Sequence, residues 1–232
     1  MENEKKPVDC VATRSAIAAG VPADMVWEEP QKVGMKLSDM AGPKDQWTQM
    51  VDLFYSRTEK HIVLVQKYAQ IIYERFDHVP AELVTRAFKH DASKYQPPEY
   101  TPYVYLTWGK KCGMDFTDIC RRMPECKIHG FRTPQNILDA IDKATFHHIT
   151  NNEHHPEFFA PNLTDDKTKI VIATAMDVIS LAEMCADWAA MSEELGTGLV
   201  QWAYGKIDIK WRFHPDQKRH IADFLTACVE NG

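Results

Sequence analysis

Paired cysteines are missing from this 232-residue chain: Cys10, Cys112, Cys120, Cys126, Cys185 and Cys228 include no CxxC. They read as reduced thiols and not as a disulfide scaffold. Cys112, Cys120, Cys126 and His129 would build a zinc site only at irregular spacing, against the usual short-spaced pairs. No apolar run approaches the roughly 18 residues that span a bilayer. The polar start, Met1-Glu2-Asn3-Glu4-Lys5-Lys6, has no apolar signal core behind it. A cytoplasmic protein is expected, in the host cytoplasm if the source is viral. Period-two alternation of useful length is absent, and no internal repeat is visible, so the expected class is all-α. Positive charge is in the minority, with Lys+Arg 27 against Asp+Glu 33 and a net charge of −6. That excludes broad nucleic-acid or anionic-membrane binding and leaves room for a local basic pocket.

What the chain does hold is ordinary globular composition: 44% hydrophobic, 26% charged and 10% aromatic residues. At this length folding buries roughly 70–75% of the unfolded surface, enough for one substantial core. Residues 1–45 are set apart by Pro7, Gly20-Val21-Pro22, Pro30, Gly34 and Gly42-Pro43, and are read as an extension, mobile or wrapped on the core. Residues 46–232 are then a single helical domain. From Asp45, Val51, Phe54, Thr58, His61, Val65, Tyr68, Ile72 and Phe76 recur every three to four residues, as a long amphipathic helix requires. Pro80 suits the first turn of a second helix reaching His90, with Leu83 and Phe88 inward. Residues 95–133, carrying Pro97-Pro98, Pro102, Gly109, Gly113 and Pro124, are expected to form a long irregular insertion. It is either a lid or specificity loop, or a surface loop that its aromatics anchor. Thr133-Pro134 opens a third helix to His148. A fourth, apolar nearly all round, is expected over Lys167–Ser192, and a last one over Pro215–Val229.

Ten histidines stand out by position more than by number. His61 lies on the apolar stripe of the first helix, either as a hydrogen-bonded core residue or as a ligand. His90-Asp91 closes the second helix, and adjacent residues on a helix diverge by about 100°, so the pair can address two sides of one site. His147-His148 and His154-His155 flank a break at Asn151-Asn152. Asp187 falls on the apolar helix, where an unpaired carboxylate costs several kcal/mol. Glu183, one turn earlier, can orient a ligand or pair with a cation. Imidazole and carboxylate without thiolate suit Mn, Fe, Co, Ni or Zn.

The order His61, His90-Asp91, Asp187 on successive helices resembles the HD-domain metal-dependent phosphohydrolase superfamily. Lys94, three residues after Asp91, is similar to the lysine of its phosphodiesterase branch. His154-His155-Pro156-Glu157 resembles the paired-histidine motif of that branch, with Phe158-Phe159-Ala160-Pro161 where a Gly-Tyr-Pro triplet would follow. A nearer likeness is to an uncharacterised HD-like family of bacteria and phages, through His90–Lys94, His148–Glu157 and Glu183–Trp188. The resemblance covers about residues 50–200 and implies an HD-like helical bundle. It further implies one or two divalent ions held by His61, His90, Asp91, His148, His154, His155 and Asp187, with Asp91 bridging.

The activity so implied is hydrolysis of a nucleotide or related phosphoester by metal-activated hydroxide. Asp91 and Lys94 would be catalytic, Lys94 meeting charge on the phosphoryl oxygens. Lys94, Tyr95 and Glu157 would touch substrate, and Tyr95, Tyr100, Tyr103 and Trp108 could stack a base. The expected partner is a small phosphorylated molecule, with no membrane; homo-oligomerisation stays open. Two other readings remain: an HD-type di-iron oxygenase, since the same ligand order can hold two irons, and a non-catalytic helical interaction protein.

Overall fold

Asp45 starts the first helix, α1 (Gln46–Arg75), its carboxylate accepting from Thr48 N at 2.9 Å. This is N-capping by a short polar side chain. The expected stripe is the buried one: Met50, Phe54, Thr58, His61, Val65, Tyr68, Ala69 and Ile72 all face inward. The structure, a computed structural model, describes residues 45–161, 163–164 and 169–231. Apart from Asp45, the expected extension over residues 1–45 therefore lies outside the described residues.

The second helix, α2 (Glu82–Ala87), is shorter than expected, and Phe88 is 43% exposed instead of inward. The chain leaves it through His90, takes a left-handed backbone at Asp91, and makes a 3-10 turn over Ala92–Tyr95. Residues 95–133 are not irregular. They form α3 (Tyr100–Cys112), α4 (Phe116–Arg122) and α5 (Glu125–Ile128). The prolines and glycines that suggested a loop punctuate these helices. Pro102 sits in the first turn of α3, where a missing N–H leaves nothing unsatisfied. Gly113 (φ 59) is the left-handed residue that ends α3. Asp115 caps α4 by accepting from Asp118 N at 2.8 Å.

Thr133 and Asn136 close a reciprocal capping box at the start of α6 (Pro134–Asn151). A 3-10 turn, Pro156–Phe159, follows. The apolar helix begins later than expected, as α7 (Val178–Leu195). Asp177 caps it, accepting from Ser180 N at 2.8 Å. Ahead of that cap the β-branched Val171–Ile172 is a short strand, β1, pairing in parallel with β2 (Trp211–Arg212). The class remains all-α, with α8 (Leu199–Tyr204) and α9 (Pro215–Asn231) completing it.

Two apolar cores result. One gathers Val65, Ile72, Leu83, Leu181 and Phe224 from α1, α2, α7 and α9. The other gathers Met50, Phe54, Tyr105, Ile119 and Ile137 from α1, α3, α4 and α6. Each such side chain contributes about 1.5–3 kcal/mol by burial. The thirty residues of α1 serve both cores, and His61 falls between Phe54 of one and Val65 of the other.

Candidate metal centre

Three helices and two turns deliver the site. α1 supplies His61, already fixed inward by the stripe on either side of it. At the turn after α2, Asp91 has φ 60 and ψ 12. A non-glycine residue adopts that conformation only at a cost on the order of 1 kcal/mol. With it, His90 and Asp91, which would diverge on a regular helix, are both in the interior at 2% exposure. α6 supplies His148, the turn after it His154 and His155, and α7 Asp187.

Their polar atoms converge. His61 Nε2 lies 3.0 Å from Asp187 Oδ1 and 3.8 Å from Asp91 Oδ2. His90 Nε2 lies 3.8 Å from both Asp91 Oδ1 and Asp187 Oδ1. His148 Nε2 and His154 Nε2 approach Asp91 Oδ1 at 3.1 Å and 3.8 Å. Among the described residues three sets of donors can hold an ion: His61–His90–Asp91, His90–His154–Asp187 and His148–His154–His155. Within each, the ligand atoms lie within 4.8 Å of one another, and shared members join the sets into one array. A cavity of about 260 Å³ opens on it.

The opposite ring nitrogens are held from behind by carboxylates. His61 Nδ1 meets Glu194 Oε1 at 3.1 Å, His90 Nδ1 meets Glu183 Oε1 at 3.0 Å, and His148 Nδ1 meets Glu99 Oε2 at 2.9 Å. A carboxylate can only accept here, so Nδ1 carries a hydrogen, which leaves Nε2 as the atom that would ligate once a cation takes the place of any proton on it. Behind Glu183 stands Arg86, with Nε at 2.8 Å and Nη2 at 2.7 Å from Oε2. Glu99 is fully buried and also takes Ser93 Oγ at 2.9 Å and His147 Nδ1 at 2.7 Å.

The donor set fits a cation. His90 Nε2, His154 Nε2 and His155 Nε2 are buried with no hydrogen-bond partner among the described residues. Buried nitrogens in that state are costly unless something takes their lone pairs. Burial, then the neighbouring His148, pushes His155 down to about 3, and burial with His90 holds His154 well below the usual range. Both rings are neutral, as ligation requires. Burial would lower His61 too, yet its bonds to Asp187 and Glu194 outweigh this and raise it to about 10. Burial works against ionisation of Asp91 and Asp187. Lys94, His90 and His148 nonetheless hold Asp91 well below the carboxylate range, and His61 holds Asp187 near about 2.

Every expected ligand is in this array, and Lys94 lines the cavity with its ammonium on Asp91 Oδ2. Two expected substrate contacts are elsewhere. Tyr95 stacks on Tyr55 at 5.3 Å and packs against Phe54. Glu157 accepts from Trp211 Nε1 at 2.9 Å, tying the His154-His155 turn to β2. Tyr100 packs on Phe54 and Tyr55, whereas Tyr103 does line the cavity, edge-on to His148. His129 bonds Tyr105 Oη at 2.8 Å, and no cysteine joins a metal-capable group among the described residues. Sequence reasoning missed Glu99, Glu194 and Arg57. Glu194 had a usable signal, two turns beyond Asp187 on one face; Glu99 had none.

Residues 50–227 match the model of a family described as of unknown function, DUF5662. No curated protein and no solved structure matches the chain. Among the described residues no helix is long and apolar enough to cross a membrane.

Proposed function

The chain belongs to the DUF5662 family, and we propose that it is a metal-dependent phosphohydrolase of the HD type, acting on a nucleotide or related small phosphoester. The observation that carries this reading is the set of unpartnered, buried histidine Nε2 atoms around Asp91, in a cavity that also receives Lys94. His61, His90, Asp91 and Asp187 would hold one divalent ion, and His148, His154 and His155 a second, with Asp91 shared. Imidazole and carboxylate donors suit Mn, Fe, Co, Ni or Zn. Such an ion supplies Lewis acidity, lowering the pKa of a water toward neutrality and polarising a phosphoryl oxygen.

The chain's own residues do the rest. Glu99, Glu183 and Glu194 fix ring orientation and tautomer, so the donors need no rearrangement. Burial works against the Lys94 ammonium, but Asp91 more than compensates, so Lys94 keeps its proton. It is thus a fixed positive charge for the phosphoryl oxygens, an effect that water exclusion strengthens. Tyr103, Ile149 and Met191 give the cavity an apolar wall for the organic part of the substrate. A volume of about 260 Å³ is below the roughly 300–1,000 Å³ of drug-sized sites, which favours a small phosphoester over a polymer.

A phosphoester screen of protein purified without chelator, run under air and under nitrogen, tests the reading. Phosphate release under nitrogen that chelator abolishes supports it. Iron-bound protein that turns over only with oxygen would instead make it an oxygenase. No turnover with any of the five metals would leave a non-catalytic helical interaction protein.

A further inference from the structure

Arg57 stands one turn before His61 on α1, so both side chains lie on one face of the helix, and both line the cavity. Its guanidinium has one described ion-pair contact, with Glu194 Oε2 at a long 3.7 Å. Glu194 already spends its other oxygen on His61. The Arg57 side chain is 42% exposed, free to reorient toward a ligand. Lys94 lines the same cavity, and its ammonium is committed to Asp91. Lys94 answers one phosphoryl group, and Arg57 exceeds what that group needs.

We propose that Arg57 is a second anion subsite at the mouth of the cavity. It would receive a further phosphoryl or carboxylate group of the substrate, about one helical turn from the histidine centre. The substrate class narrows accordingly to small phosphoesters with two anionic groups, such as a nucleoside diphosphate or a phosphorylated acid. A guanidinium suits this because its planar fork can bond two oxygens at once. The inference rests on the phosphohydrolase reading and is tested apart from turnover.

The experiment is calorimetric titration of the full chain, loaded with Mn²⁺, using three non-hydrolysable probes: methylphosphonate, phosphonoacetate and ethylenebisphosphonate. The two-anion probes should bind at least about tenfold more tightly than methylphosphonate, the least that one charge-assisted bond provides. Preference for ethylenebisphosphonate over phosphonoacetate assigns a second phosphate, and the reverse assigns a carboxylate. Arg57→Gln should abolish the difference with methylphosphonate affinity and bound Mn²⁺ unchanged. Equal affinities in the wild type, or an undiminished preference in Arg57→Gln, would overturn the subsite alone. Loss of Mn²⁺ in Arg57→Gln would show that Arg57 serves only to position Glu194. If none of the probes binds, the subsite and the phosphohydrolase reading fall together.

Discussion

Glu183→Gln is the substitution whose outcome the geometry fixes most tightly. One carboxylate oxygen faces His90 Nδ1 at 3.0 Å and His154 Nδ1 at 3.5 Å, the other the Arg86 guanidinium at 2.7–2.8 Å. When Nε2 is the ligating atom, the His90 side is a donor, and the arginine side is always one. A glutamine must aim its NH2 at one of them, so neither orientation satisfies the site. If the amide turns to Arg86, the lost charge-assisted bond costs about 1.5–3 kcal/mol, near the lower end because Arg86 also reaches Glu153 at 2.9 Å. If it turns to His90, the tautomer is no longer held, and metal affinity should fall about 10–100-fold. Competition against a calibrated chelator reads the second effect, and urea unfolding of chelator-treated protein reads the first. Glu153→Gln is the control: its side chain is 51% exposed, so the loss should stay below about 1 kcal/mol with affinity unchanged. A Glu183→Gln protein with wild-type affinity and wild-type stability would refute the orienting role.

Asp91→Asn should lose both metal and turnover, since an amide cannot bridge two cations. Lys94→Ala should keep its metal and lose about 10²–10³-fold in turnover, as removal of one electrostatic donor does; full activity would refute the role. His147→Gln should leave metal content intact, because His147 is 40% exposed and lies on the far side of Glu99, whereas His148→Gln should remove metal. Stability of the metal-free protein should peak near pH 6.5. His61, raised from 6.5 to about 10, contributes stability that is present below about pH 6.5 and lost as pH rises toward 10. His155, lowered to about 3, makes the unfolded state take up the proton first, so stability falls as pH drops from about 6.5 toward 3. Asp187 adds to the acid loss between about pH 4 and 2. Stability that rose steadily from pH 6.5 to 9 in urea unfolding would contradict these signs.

The long helices were legible because burial imposes a period on them: the stripe from Phe54 to Ile72 is readable from spacing alone. His61 and Asp187 were legible for the same reason, as polar residues on faces that burial reserves for apolar ones. Residues 95–133 read as a loop in the sequence because proline and glycine end helices as readily as they prevent them. Only packing shows that Gly109 lies where an added Cβ would sit 3.4 Å from Ile119 Cδ1, inside a helix. The sequence pattern starts α7 too early because Ile170, Val171 and Ile172 are apolar in a strand or a helix alike. Glu99 was invisible, since its role depends on α6 bringing His147 and His148 to it across forty-eight residues. The motif likeness points Glu157 at substrate and the loop aromatics point Tyr95 there, but tertiary packing sets them against Trp211 and Tyr55, outside the cavity lining.

Elemental analysis of protein purified without chelator, paired with thermal melts before and after metal removal, tests most directly whether the histidine array is a metal centre joining these helices. At metal one hundred times its dissociation constant, binding contributes about 2.7 kcal/mol. In a domain of this size that is a shift of about 5–10 °C. The structure predicts at least one equivalent of a divalent transition metal and a midpoint that falls on its removal and returns on its replacement. Protein that carries no metal, takes none up from solution and melts at one midpoint throughout would contradict it.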